Sequence, residues 1–204
     1  MLLKAQKGRG KKIHLLLDGE YQITTDSEFW TLHGLPDGTE LTEQEWEELV
    51  QQIERTKAVN KCYDLLSRRD HSKKELLTKL LRTVSAENAR YAVELMEEKG
   101  YLDDEKYARK LCAYLLESKN LSKRHLAAEM AKRGLSRDLI SQVLEEVEVD
   151  PVSQIVQLLQ TKFAAKLQAE NGVQKVTAAL LRKGFTYADI KSAFYRLETD
   201  DYAL

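Results

Sequence analysis

The sequence predicts a mainly α protein: tandem three-helix, helix-turn-helix-like repeats forming an elongated curved array, preceded by a small N-terminal β-hairpin. Three observations predict it. From Thr42 onward, helix-cap signatures are followed by apolar stripes at helical spacing. The same residue types return every 50 residues. Before the first helix, Asp18-Gly19 separates two strand-like runs.

The hairpin comes first. Ile13-His14-Leu15-Leu16-Leu17 is a short apolar run, and Glu20–Thr25 alternates. Phe29, Trp30 and Leu32 suggest one short helical turn, and Gly34–Gly38 is loop punctuation. Tyr21, Trp30 and Trp46 are expected to form the small core that holds the hairpin to the first long helix. Thr42-Glu43-Gln44-Glu45 is a capping box opening that helix, whose pattern runs to Arg69. Ser72-Lys73-Lys74-Glu75 is a second box, and Ser85 opens the next helix, which Gly100 ends.

The recurrence organises the rest. Ser72, Ser122 and Gly172 are successive helix starts, with Leu76, Leu126 and Val176 aligned behind them, then Leu80, Met130 and Leu180. Gly134-Leu135-Ser136 matches Gly184-Phe185-Thr186, each after a basic pair. The expected helices are 43–69, 72–82 and 85–99; 103–118, 122–133 and 136–148; and 151–169, 172–183 and 186–197. The corresponding division is a hairpin segment at 1–42 and repeats at 43–100, 101–149 and 150–204. Single short helices are marginal in water, so three around a shared core, stacked end to end, are the stable solution. Such stacking builds a long surface in place of one deep pocket.

Composition narrows the function classes. With 2 Pro and 9 Gly the chain is poor in turn residues for a β protein. Cys62 and Cys112 are isolated, on equivalent first helices, and read as small core residues in a reducing compartment. No apolar run approaches the roughly 18 residues of a membrane span, and no signal peptide is evident. A soluble, cytoplasmic protein is expected. Phosphate-loop, dinucleotide, nucleophile-elbow and zinc signatures are missing from the sequence. His71 and His125 lie near second-helix starts, where a surface or capping role is expected. Asp103-Asp104 suits a helix N-terminus, where acids complement the dipole. No enzyme activity, catalytic residue, cofactor or metal is therefore expected.

The net charge of −1 conceals segregation. Residues 13–54 carry eleven acids and no Lys or Arg, while residues 119–137 carry six bases against one acid and residues 162–196 seven bases against two. Fields act locally, within a Debye length of about 8–10 Å, so a polyanionic partner remains compatible with this total.

Three stretches resemble the RecX family of regulatory proteins. Tyr63-Asp64-Leu65-Leu66-Ser67-Arg68-Arg69-Asp70-His71-Ser72 with Glu75-Leu76 is similar to the family's first-repeat signature. Glu98-Lys99-Gly100-Tyr101-Leu102-Asp103-Asp104 with Tyr107-Ala108 is similar to the motif joining the first two repeats. The step of basic pair, Gly, apolar residue and Ser or Thr at Lys132–Ser136 and Arg182–Thr186 fits as well. The resemblance covers about residues 58–197. Two departures are a missing glycine near Val84 and Leu121 where the family usually has glycine.

The resemblance implies a non-enzymatic modulator of RecA in recombination, DNA repair and the SOS response. Such a protein binds the RecA–single-stranded DNA filament, lies along its groove, and suppresses ATPase, strand-exchange and coprotease activities. The expected contacts to RecA or DNA are Arg68, Arg69, Lys73 and Lys74 in the first repeat. In the second they are Lys123, Arg124, Lys132 and Arg133, and in the third Lys175, Arg182 and Lys183. The expected partners are the filament and its single strand, with weak direct DNA binding, no membrane, and a monomeric state. Two other readings stay open: a duplex-reading tandem helix-turn-helix regulator, and a protein-only scaffold.

Overall fold

The computed structural model describes residues 1–201. The expected third repeat, 150–204, ends on residues 202–204, which lie outside the described residues. Among the described residues, three strands are followed by a succession of helices, and they divide into two compact units: residues 1–70 with 76–102, and residues 71–75 with those from 103 onward.

The first unit opens on a three-stranded antiparallel sheet: β1 (Leu3–Lys7), β2 (Lys12–Leu17) and β3 (Glu20–Asp26), in that order. The Asp-Gly turn forms as expected, with Asp18 and Gly19 both at positive φ (50° and 88°), the conformation a tight hairpin demands. The expected hairpin gains a third strand. β1 places Leu3 opposite Leu17 and Lys7 opposite Ile13. Its Leu-Lys-Ala-Gln-Lys sequence has none of the branched or aromatic residues that mark a strand, and its lysines suit an edge strand, where they discourage further pairing.

Asp26 caps α1 (Ser27–His33) by accepting from the Phe29 N–H at 2.7 Å. Thr42 and Glu45 form the expected reciprocal capping box at the start of α2 (Glu43–Leu66). The sheet, α1 and the N-terminal half of α2 bury Leu3, Leu15, Leu17, Phe29, Leu41, Leu49 and Ile53. Trp30 and Trp46 pack against this core, but Tyr21 does not join it. Tyr21 is 61 % exposed, because the β-bulge between Leu15 and Leu16 changes the register just before its partner position.

A second core in this unit joins the C-terminal half of α2 to α3 (Lys73–Leu80) and α4 (Ala86–Glu98). Leu76, Leu80, Ala89, Ala92 and Met96 are fully buried there.

The second unit carries two three-helix repeats. One comprises α5 (Asp104–Tyr114), α6 (Lys123–Lys132) and α7 (Arg137–Glu145), around Leu111, Leu126, Met130, Ile140 and Val143. The other comprises α8 (Pro151–Gln160), the short α9 (Ala164–Leu167), α10 (Gly172–Arg182) and α11 (Tyr187–Asp201), around Ile155, Leu159, Val176, Leu180 and Ile190. The recurrence is a packing recurrence: Leu76, Leu126 and Val176 are fully buried, as are Leu80, Met130 and Leu180.

Two first helices depart from the expected spans. After α5 the chain widens into a π-turn, Leu115–Lys119, which ends where Asn120 adopts a left-handed conformation. The expected helix 151–169 breaks at Thr161 (φ −106°, ψ −78°), and the break carries Phe163 into the core. Gly172 starts a helix as expected, although not as a cap. A Cβ there would strike the carbonyls of Lys166 and Leu167, so the position serves close backbone approach.

Candidate functional site

Inside the second unit, the start of one second helix is joined to the end of the next one. Ser72 accepts from the Glu75 N–H at 3.1 Å and donates its hydroxyl proton to the carbonyl of Arg133. The N–H of Lys73 donates to the Asp104 carboxylate at 2.9 Å. Fifty residues on, Ser122 accepts from the His125 N–H at 3.4 Å and donates its own N–H to the carbonyl of Lys183 at 3.1 Å. Gln154, the positional equivalent of Asp104, reaches the Leu121 carbonyl at 3.5 Å. Helix N-terminal donors and C-terminal acceptors, which would otherwise be orphans, satisfy each other across these joints.

Gly134 and Gly184 make both joints possible. Each has φ above +80°, and each lies where a Cβ would collide. At Gly134 it would lie 2.8 Å from the Cβ of Lys74, and at Gly184 it would overlap the His125 ring. The missing glycine near Val84 now has a physical reason. The first repeat has no preceding second helix to accommodate, and its turn closes with Thr83 and Val84 donating to Leu80. Leu121, the other departure, packs against the core of its own repeat.

The joints carry most of the expected basic residues, in different circumstances. Lys123 and Arg124, in the first turn of α6, are exposed and have no ion-pair partner among the described residues. Both line a depression of about 190 Å³ with Leu116, Gln154, Gly184 and Asp189. Asp189 is already engaged, its Oδ2 accepting from the Thr186 hydroxyl at 2.6 Å. Arg182 is exposed at the end of α10.

The other candidates are partly committed. Arg68 is bonded to Asp64 at 3.0 Å, and Lys132 to Glu129 at 2.6 Å. That contact, together with the neighbouring bases, holds the Glu129 carboxyl below its ordinary range. Arg133 lies 3.7 Å from Glu75, and Arg69 donates to the Asp70 carbonyl at 2.9 Å. Lys74 is exposed overall, with its stem near Gly134; Lys73 is half-buried. Lys175 donates to the Glu170 carbonyl at 3.0 Å. Lys183 is half-buried, and its ammonium donates to the Lys119 carbonyl. Desolvation, with Lys162 nearby, pushes its pKa down. Arg68 and Arg69 belong to the first unit and the remaining candidates to the second.

Further expectations are met or corrected. Cys62 and Cys112 are free and buried. Desolvation lifts the Cys62 thiol to about 11 and raises that of Cys112. Asp103 caps α5 by accepting from Lys106 at 2.9 Å. His71, expected in a surface or capping role, is not at the surface: it is buried at 3 % exposure, next to the buried Ser72. Sequence reading missed Tyr187, which is 68 % exposed at the start of α11 and lines a groove with Arg124. The signal was a tyrosine at a position where the preceding repeat has Arg137.

Among the described residues no group of three or more His, Cys, Asp or Glu is placed to hold a metal ion. Among the same residues no helix is long and apolar enough to cross a membrane.

Comparison with known proteins follows the same lines. A family model for the second three-helix domain of RecX matches residues 103–144. The regulatory protein RecX of Caldanaerobacter subterraneus subsp. tengcongensis is 31 % identical over 194 residues, covering 92 % of this chain and 94 % of the relative. That of Listeria monocytogenes serotype 4a is 28 % identical over 202 residues, covering 94 % and 72 %. A crystal structure of a regulatory protein RecX superposes with a TM-score of 0.62 at 20 % identity, covering 94 % of this chain and 96 % of the other.

Proposed function

Because the chain belongs to the RecX family of regulatory proteins, we propose that it regulates RecA by binding the RecA–single-stranded DNA filament and inhibiting ATP hydrolysis, strand exchange and coprotease function. In this reading it works as a cytoplasmic monomer without catalysing a reaction, and its contacts are basic side chains of the repeats. The supporting observation is the pair Lys123 and Arg124. They stand exposed in the first turn of α6, without an ion-pair partner among the described residues, where the helix dipole adds its positive end. The intramolecular partners of Arg68 and Lys132 make those residues weaker candidates, because an exposed ion pair must be given up before a new one forms.

A duplex-reading regulator is less well supported. α7 and α11, which would be its recognition helices, carry Asp138 and Asp189 in their first turns, and carboxylates there repel the backbone phosphates a reader must approach.

The test is RecA ATP hydrolysis on single-stranded DNA, with the protein titrated at two salt concentrations. Inhibition that weakens with salt is expected, with log K falling by about 0.7 per log unit of salt for each phosphate neutralised. Absence of inhibition at either salt would refute the reading.

A further inference from the structure

Beside the Lys123–Arg124 depression lies a second hollow, a groove of about 510 Å³ between α6 and the turn joining α10 to α11. Arg124 and Ala128 of α6 line it together with Leu181, Phe185 and Tyr187. Its floor depends on Gly184, since the absence of a side chain lets the His125 ring lie against the backbone.

Three features of this groove stand out. Tyr187 is 68 % exposed and Leu181 45 % exposed, and both line the groove. Tyr187 makes no aromatic or cation–ring contact among the described residues, and most of its surface is exposed. Across from it stands Arg124, which has no acidic partner among the described residues. Asp189, which shares the neighbouring depression with Arg124, makes no ion pair with it and accepts from the Thr186 hydroxyl at 2.6 Å.

We propose that this groove is a one-nucleotide stacking site for single-stranded nucleic acid, with Tyr187 receiving the base against Leu181 and Arg124 pairing with its phosphate. The proposal deepens the filament reading and rests on it for the partner class. An exposed aromatic side chain beside a cation is the combination that holds single strands without sequence preference. The equivalent positions fifty residues earlier hold Arg137 for Tyr187 and Ala131 for Leu181, so the stacking platform is a property of the last repeat and not of the second.

Binding of the full chain to oligodeoxythymidylate, and to an abasic sugar–phosphate oligomer of the same length, tests this. Circular dichroism confirms that each variant is folded. Tyr187→Ala is expected to weaken the thymidylate complex about tenfold and leave the abasic complex within about twofold. Tyr187→Phe is expected to bind like the parent chain. Arg124→Ala is expected to weaken both complexes and lower the salt dependence by one phosphate contact. Four outcomes would overturn the proposal: no thymidylate binding by the parent chain, parent-like binding by Tyr187→Ala, equal loss on both oligomers, or loss of RecA inhibition by Tyr187→Ala with oligonucleotide binding intact. The last would assign the groove to a protein surface. Base-dependent binding without inhibition of RecA would refute the filament reading and leave the stacking site standing.

Discussion

The hydroxyl of Ser72 donates to the backbone carbonyl of Arg133, and fifty residues later the backbone of Ser122 makes the corresponding bond to Lys183. A helix start is thereby fastened to the end of the next second helix, 61 residues along the chain in both places. The repeat is thus a recurrence of joints as well as of helices.

Removing the Ser72 hydroxyl should loosen the first of these joints. Ser72→Ala deletes the cap on Glu75 and leaves the Arg133 carbonyl without that donor. A loss of about 2 kcal/mol is expected, from a lost cap and a newly deprived acceptor. Urea unfolding followed by circular dichroism measures it.

The glycines should separate by their surroundings. Gly100, Gly134 and Gly184 all have positive φ, but a Cβ at Gly100 would meet nothing within 4 Å, whereas at Gly134 it would press on Lys74 and at Gly184 on His125. Gly100→Ala is expected to cost about 1 kcal/mol, the price of a left-handed alanine. Gly134→Ala and Gly184→Ala should each cost more, about 2–4 kcal/mol once the collision is added. Equal losses at all three positions, read from unfolding midpoints, would contradict this account of the joints.

The pH dependence carried by Lys183 has a definite sign. Its pKa is lowered in the folded chain by desolvation and by Lys162, so the charged form is disfavoured relative to the unfolded chain. Below the folded pKa the group costs stability, and that cost disappears as pH rises through the folded pKa toward the unfolded value. The parent chain should therefore gain stability relative to Lys183→Met as the solution is made alkaline. Paired urea titrations at neutral and alkaline pH read the difference.

Both cysteines should be inert while the chain is folded. Burial takes the Cys62 thiol to about 11 and raises that of Cys112, which leaves little thiolate at neutral pH. A thiol-specific disulfide reagent is expected to modify neither residue at neutral pH until denaturant is added, and then to modify both. Rapid modification of the native chain would show that these helices open.

The helices were legible in the sequence because caps and buried stripes are local signals: Thr42, Ser85 and Ser122 all cap where their hydroxyls suggested. β1 was not, since Lys4, Ala5, Gln6 and Lys7 become a strand through pairing with β2 rather than by propensity. The π-turn at Leu115 and the break at Thr161 depend on how the chain fits its core, and residue spacing carries no record of that. Charge pattern located basic residues but could not distinguish unpaired Arg124 from Lys132, which Glu129 holds. Nor could it show that Lys183 turns its ammonium onto a carbonyl.

The most direct test of the central claim, that the basic first turn of α6 binds the filament, is RecA ATP hydrolysis on single-stranded DNA titrated with the double variant Lys123→Glu, Arg124→Glu. Acids in a first helical turn are well tolerated, so its unfolding midpoint should match the parent's. Half-inhibition should then require at least about tenfold more protein at low salt, as expected when two charge contacts are reversed. A folded double variant that inhibits RecA as well as the parent chain would contradict the account.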